Sequence, residues 1–133
     1  MPRLFREAPL NAIWEGSGNV IALDVLRSLS REPAALESYA AEVALAKGGN
    51  TRLDSAALEL LAHARNPVDE ARARWLCERM ALVLQGSLLV RHAPPAVADA
   101  FCARHFGEGA GLTYGTLPAS VDVAAIIRRQ LNS

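Results

Sequence analysis

The sequence predicts an all-α fold, a helical bundle. Apolar residues recur at three- and four-residue spacing along most of the chain, and no alternating run is long enough to indicate a sheet. Glycine and proline pairs such as Gly48-Gly49 and Pro94-Pro95 separate these periodic segments at helix-length intervals. With 51% hydrophobic and 21% charged residues, the 133-residue chain has enough apolar material for a core, which excludes a disordered tail.

The first predicted helix with an apolar face begins near Val20. It ends near Ser30, because Pro33 disfavours helical geometry at the residue before it. Pro33 then occupies the first position of a second helix, which Gly48-Gly49 ends.

The longest predicted helix runs from Pro67 to about Arg91. Its second half is apolar on all sides, which requires packing neighbours all round and makes it the centre of the bundle. Gly86 and Ser87 are small enough to allow a close helix crossing in that half.

Three shorter helices follow from the same spacing, at residues 51–64, 95–106 and 120–131. The first of them starts at Thr51-Arg52-Leu53-Asp54, which resembles a capping box. We therefore expect five or six helices in total.

Composition and charge restrict the class of protein. No apolar run of about 18 residues occurs, and the first residues include Arg3, Arg6 and Glu7, so neither a membrane span nor a secretion signal is predicted. We expect a cytoplasmic protein. Cys77 and Cys102 lie far apart in apolar helical segments, which is typical of reduced core thiols rather than of a disulfide framework.

A carboxylate stands beside a glycine-rich helix start in the run Ile13-Trp14-Glu15-Gly16-Ser17-Gly18-Asn19-Val20. The glycines let the backbone turn sharply, and the free N–H groups at the positive end of the next helix suit a phosphate or pyrophosphate. Glu15 would lie at the rim of that anion site. From these residues alone the more common interpretation is simpler: Glu15 compensates the helix dipole, and Ser17 is an N-cap without a ligand.

This run resembles the carboxy-terminal signature of the acyl-CoA dehydrogenase family. In that signature an arginine-containing helix leads through Asn-x-Ile and an aromatic-Glu-Gly-Thr/Ser turn to a final bundle helix. The match covers residues 1–31, and its continuation Leu23-Asp24-Val25-Leu26-Arg27 is similar to the branch linked to the adaptive response to DNA alkylation. Residues 32–133 resemble the helical extension of that branch, and Thr113-Tyr114-Gly115-Thr116-Leu117-Pro118 resembles a local motif of it.

The resemblance implies FAD as cofactor and an acyl-CoA thioester as substrate. It makes Glu15 the catalytic base, which removes the proton α to the thioester while the β-hydride leaves for the flavin. The implied flavin contacts are Ser17, Gly18 and Asn19, and the implied substrate contacts are Trp14 and Gly16. Trp14 stands where tyrosine or phenylalanine is usual, so a narrower acyl pocket is expected and straight-chain substrates come into doubt.

The family fold also needs an amino-terminal helical domain and a β-barrel domain, which is more than 133 residues supply. We therefore expect the chain to be the carboxy-terminal fragment of a longer flavoprotein, without activity or bound flavin of its own. Met1 is then an internal methionine, a truncation site or a misassigned start, and we favour truncation.

A DNA-binding or subunit-interface module without catalysis is the alternative function. The resemblance implies double-stranded DNA as a partner and assembly into a homo-oligomer. Arg27 and Arg31 share one helical face and are the candidate phosphate contacts. Further positive charges come from Arg72 and Arg79, which share another face, and from Arg128-Arg129 near the end of the chain. However, 14 basic residues balance 14 acidic ones, which is not the charge of a dedicated DNA-binding protein, and solvated helix faces explain most of these arginines.

No metal site is predicted. Cys102 and His105 lie three residues apart on one predicted helix, but no second pair with ligand spacing accompanies them. We interpret both as packing or surface residues. His63 and His92 lie near helix ends, where a histidine typically contacts the last carbonyls.

Overall fold

The structure is a computed structural model, and it describes residues 2–12, 18–66, 68–107 and 115–131. Within these ranges the chain forms seven α-helices and two short 3-10 helices, with no strand. The all-α prediction is therefore confirmed, and the helix count is one above the predicted range. None of the described helices is both long enough and apolar enough to span a membrane.

The helices follow one another in a simple order. They are α1 (Pro2–Glu7), α2 (Gly18–Arg31), α3 (Pro33–Ala44), α4 (Thr51–Ala64), α5 (Ala73–His92), α6 (Pro95–Phe106) and α7 (Val123–Leu131), with 3-10 helices at Ala8–Ala12 and Glu70–Arg72. Helices α3 and α6 begin at proline, as predicted, because proline has the helical φ angle and its missing N–H is not needed in the first turn.

Polar side chains upstream of three helices change one predicted cap and two predicted helix starts. The cap of α4 is Asn50 rather than Thr51: its Oδ1 accepts hydrogen bonds from the N–H groups of Arg52 and Leu53, at 3.1 and 3.2 Å. The Asp69 carboxylate accepts from the N–H of Ala71 at 3.0 Å. This bond favours a 3-10 turn, so α5 begins at Ala73 and not at Pro67.

The last helix starts later than predicted for the same reason. Asp122 Oδ1 accepts from the N–H of Ala125 at 2.9 Å, which caps α7 just before Val123 rather than at Ser120.

Helix α5 lies at the centre of the bundle, as predicted. Leu76 and Val83 on its inner face are 0% exposed, and α2, α3, α4 and α6 all pack against it. Helix α4 runs antiparallel to α5, because His63 contacts Trp75 while Glu59, one turn earlier, contacts Arg79, one turn later.

Helix α2 runs parallel to α5. Asn19 pairs with Arg74 and the Ala22 carbonyl pairs with Cys77, both with a sequence separation of 55 residues. The predicted segments 1–31 and 32–133 therefore pack against each other along these two helices.

Gly86 permits the close crossing that the sequence predicted. A Cβ at this position would lie 3.0 Å from Leu53 Cδ1 and 3.2 Å from Phe106 Cε2, so α4 and the end of α6 approach the α5 backbone directly. Ser87 beside it is fully buried, and its hydroxyl donates to the Leu84 carbonyl at 2.9 Å. The small side chains of this turn therefore fit without an unpaired polar group.

Two polar contacts attach α3 to α5. The Tyr39 hydroxyl donates to the Met80 carbonyl at 2.8 Å, and its burial raises the pKa of the phenol. Arg91 Nη1 donates to Glu42 Oε1 at 2.5 Å near the carboxy-terminal end of α5. Polar contacts therefore fix the position of α3 at two points along the central helix.

Cys102 is a core residue of α6. It is fully buried, and burial, together with the Asp99 carboxylate, raises the pKa of its thiol from 9.0 to about 11, although Arg52 acts in the opposite direction. Burial also raises the pKa of Cys77. Both thiols are therefore protonated at neutral pH, as expected of packing residues and not of nucleophiles.

Leu76→Ala tests the central position of α5. The substitution leaves a cavity between helices and should lower the free energy of unfolding by about 2–5 kcal/mol. Leu58→Ala is the matched control, because Leu58 on α4 is 74% exposed and its loss should change stability by no more than about 0.5 kcal/mol. Chemical denaturation measures both, and equal losses would contradict the packing described.

The raised pKa of Cys102 predicts that the free energy of unfolding depends on pH above pH 9, and that Cys102→Ala removes this dependence. The thiol ionises in the unfolded chain near pH 9.0 but in the folded chain only near pH 11. The protonated thiol therefore makes its full contribution to the free energy of unfolding below pH 9, and this contribution is lost as the pH rises towards 11. Denaturation curves across this interval should show a steeper decline for the unmodified protein than for Cys102→Ala, and parallel declines would be the contrary result.

Candidate functional site

Four of the predicted site residues lie outside the described part of the chain. These are Trp14, Glu15, Gly16 and Ser17. Their predicted roles stay predictions. The two that follow them, Gly18 and Asn19, are described and form the first residues of α2. Helix α2 as described begins at Gly18, the last glycine of the predicted run.

The start of α2 is a set of hydrogen-bond donors. The first turn of a helix leaves its backbone N–H groups without partners inside the helix, and α2 has no acidic side chain in that turn. The fourteen residues of α2 also align their peptide dipoles with the positive end at Gly18. This end of the helix is therefore suited to an anionic or acceptor-rich group.

Arg74 lies against this helix start. Its Nη1 donates to Asn19 Oδ1 at 3.1 Å, and its Nη2 lies 3.8 Å from the position that a Cβ on Gly18 would occupy. The contact depends on the parallel alignment of α2 and α5. Sequence reasoning missed Arg74, because nothing near it in the chain indicates which helix it will face.

The candidate DNA contacts Arg27 and Arg31 are both exposed on α2. Arg27 Nη1 forms an ion pair with Asp24 Oδ1 at 2.5 Å, so its charge already has a partner. Arg31 is the last residue of α2, where a positive charge stabilises the negative end of the helix dipole. The helix thus carries both arginines as predicted, and one of them is ion-paired.

Arg72 and Arg79 pack on aromatic rings instead of forming one charged face. The Arg72 guanidinium lies 4.4 Å from the centre of the Trp75 ring, and that of Arg79 lies 5.4 Å from the centre of the Phe106 ring. Arg72 belongs to the 3-10 turn, not to α5, which corrects the prediction that both lie on one helix. Arg79 also forms an ion pair with Glu59 at 3.9 Å. These two arginines therefore serve the fold.

His63 and His105 each contact an aromatic ring. The His105 ring lies 4.4 Å from the Phe101 ring, centre to centre, and burial lowers the pKa of His105. His63 pairs through Nδ1 with the Glu59 carbonyl at 2.9 Å. Across the described ranges, no three His, Cys, Asp or Glu side chains are grouped as metal ligands would be.

An open cleft of about 650 Å³ lies between α2, α3, the end of α4 and the start of α5. Leucines from α2, α3 and α5 form much of its wall, and charged side chains such as Arg65 and Glu37 also line it. Neither Gly18 nor Asn19 lines the cleft, so it is separate from the donor set at the start of α2.

Comparison with known proteins identifies a relative. No protein-family model matches the chain, and no solved structure matches it. The chain is 35% identical over 102 residues to the putative acyl-CoA dehydrogenase AidB of Escherichia coli strain K12. The match covers 77% of this chain but only 19% of the length of that protein. The chain is thus homologous to a part of this protein, which confirms the acyl-CoA dehydrogenase resemblance of its sequence.

Proposed function

We propose that the chain is the carboxy-terminal part of an FAD-dependent acyl-CoA dehydrogenase-like protein. Its homology to E. coli AidB is the observation that supports this most strongly. In this proposal residues 1–31 end the catalytic helical bundle, and residues 32–133 form a helical extension packed against it through α2 and α5. The reduced, buried thiol of Cys102 agrees with a cytoplasmic location.

The described residues at the start of α2 fit the cofactor. The backbone N–H groups and the Asn19 amide are donors, whereas the pyrophosphate and ring oxygens of FAD are acceptors. When bound, FAD supplies the hydride acceptor of the reaction. We assign Gly18 and Asn19, with Ser17 before them, to flavin binding in the complete protein.

Glu15 is the proposed catalytic base of that protein. Its carboxylate would take the proton α to the thioester carbonyl of an acyl-CoA, which makes the α-carbon electron-rich and prepares loss of the β-hydride. Gly16 has no side chain to obstruct the thioester, and the Trp14 indole would narrow the acyl pocket. Ordinary straight-chain acyl-CoA thioesters are therefore expected to be poor substrates.

Exposed apolar side chains on α1 support a larger assembly. Leu4 and Phe5 are 64% and 81% exposed, and no residue of this helix is buried. Such a surface normally meets another part of the protein or another subunit. A homo-oligomeric flavoprotein is the form that we propose.

A second candidate function is binding of double-stranded DNA by the same protein. The supporting observation is that Arg27 and Arg31, four residues apart, are both exposed on α2. Phosphate groups would have to compete with Asp24 for Arg27. In the alternative without DNA, this face of α2 belongs to a subunit interface.

Glu15→Gln tests the catalytic proposal in the complete flavoprotein. Glutamine keeps the size and most hydrogen bonding of glutamate but cannot accept the proton, so acyl-CoA-dependent flavin reduction should slow by at least about a hundredfold. Stopped-flow absorbance follows the reduction, and the flavin content should stay unchanged. An undiminished rate would assign the base to another residue.

The double substitution Arg27→Gln and Arg31→Gln tests DNA binding. Removing two phosphate contacts should weaken duplex binding and flatten the slope of log affinity against log salt by up to about two. The control is Arg3→Gln with Lys47→Gln, which removes two exposed charges outside α2. If the first pair behaves like the control, α2 is not the DNA contact and the interface alternative is favoured.

A further inference from the structure

We propose that Arg74 is a positioning residue that orients the Asn19 amide towards the flavin; the inference rests on the proposed function. The observation is a hydrogen bond of 3.1 Å from Arg74 Nη1 to Asn19 Oδ1, which joins the extension to the start of α2. Arg74 is not part of the glycine-rich motif, and it lies 55 residues further along the chain from Asn19.

The chemistry of the pair fixes the orientation of the amide. A guanidinium carries only donors, so the amide atom that faces it is the oxygen. The Asn19 Nδ2 group therefore points away from Arg74 and keeps its N–H donors for another partner. Without Arg74, the amide would be free to rotate by 180° and to present its oxygen instead.

The guanidinium of Arg74 lies beside the first residues of α2. Arg74 Nη2 lies 3.8 Å from the position of a Cβ on Gly18, in ordinary van der Waals contact with that position. The parallel packing of α2 on α5 sets this approach, because the neighbouring pair of Ala22 and Cys77 has the same separation of 55 residues. The position of Arg74 is therefore a property of the helix pair and not of one flexible side chain alone.

The oriented amide selects the chemical class of its partner. An outward N–H donor pairs with a phosphate, carbonyl or ring-nitrogen acceptor, all of which FAD carries, and it repels no negative charge. An aspartate at position 19 would keep an ion pair with Arg74 but offer only acceptors. Asn19→Asp therefore separates the contact with Arg74 from the contact with the flavin.

The test measures FAD binding by the complete apoprotein that carries this segment, from the quenching of flavin fluorescence. Arg74→Ala and Asn19→Ala should each weaken FAD binding by about tenfold, and the double variant should be no weaker than either single one. Arg74→Lys should restore most of the affinity, because lysine can also donate to Oδ1. Asn19→Asp should weaken binding while the thermal midpoint stays at or above that of the unmodified protein.

Arg91→Ala is the matched control. Arg91 lies on the same helix and forms an ion pair with Glu42 on α3, so its loss should lower stability at least as much as the loss of Arg74. Its effect on FAD affinity should be negligible. If the unmodified apoprotein binds FAD but Arg74→Ala binds it equally well, or the two alanine variants are additive, Arg74 is not a positioning residue. If the unmodified apoprotein binds no FAD, the proposed function itself is wrong.

Discussion

The burial of the inner face of α5 is the interaction on which the rest of the structure depends. Leu76 and Val83 have no exposed surface, and four other helices pack around this face. Helix α2 contributes only Ala22 to the set of buried residues, so it has no core of its own. Its position, and with it the position of the glycine-rich helix start, is therefore set by α5.

Local chemistry explains how much of the fold the sequence could predict. Proline is favoured at the first position of a helix, so the starts of α3 at Pro33 and of α6 at Pro95 are predicted to the residue, whereas α3 ends at Ala44, before the predicted Gly48-Gly49. The caps of α4, of the 3-10 turn before α5 and of α7 depend on a choice between neighbouring polar residues, because asparagine, aspartate, serine and threonine all cap helices. The side chains of Asn50, Asp69 and Asp122 make that choice through hydrogen bonds that the sequence pattern does not rank.

The candidate site was less predictable than the fold, for a physical reason. A motif fixes only residues that are close in the chain, and so it led to Gly18 and Asn19 but not to Arg74. Charge spacing alone also fails to distinguish a DNA contact from a packed arginine: Arg79 stacks on a ring. The role of Glu15 stays a prediction, supported by the motif and by the homology to AidB.

Amide hydrogen exchange tests most directly whether α5 holds α2 in place. Exchange in a helix that belongs to the cooperative core requires global unfolding, whereas a loosely attached helix opens on its own. We expect the amides in the middle of α2, around Leu23 to Leu26, to be protected with the same free energy as those around Val83 in α5. Amides of α2 that exchange much faster while α5 remains protected would contradict the dependence of the candidate site on the central helix.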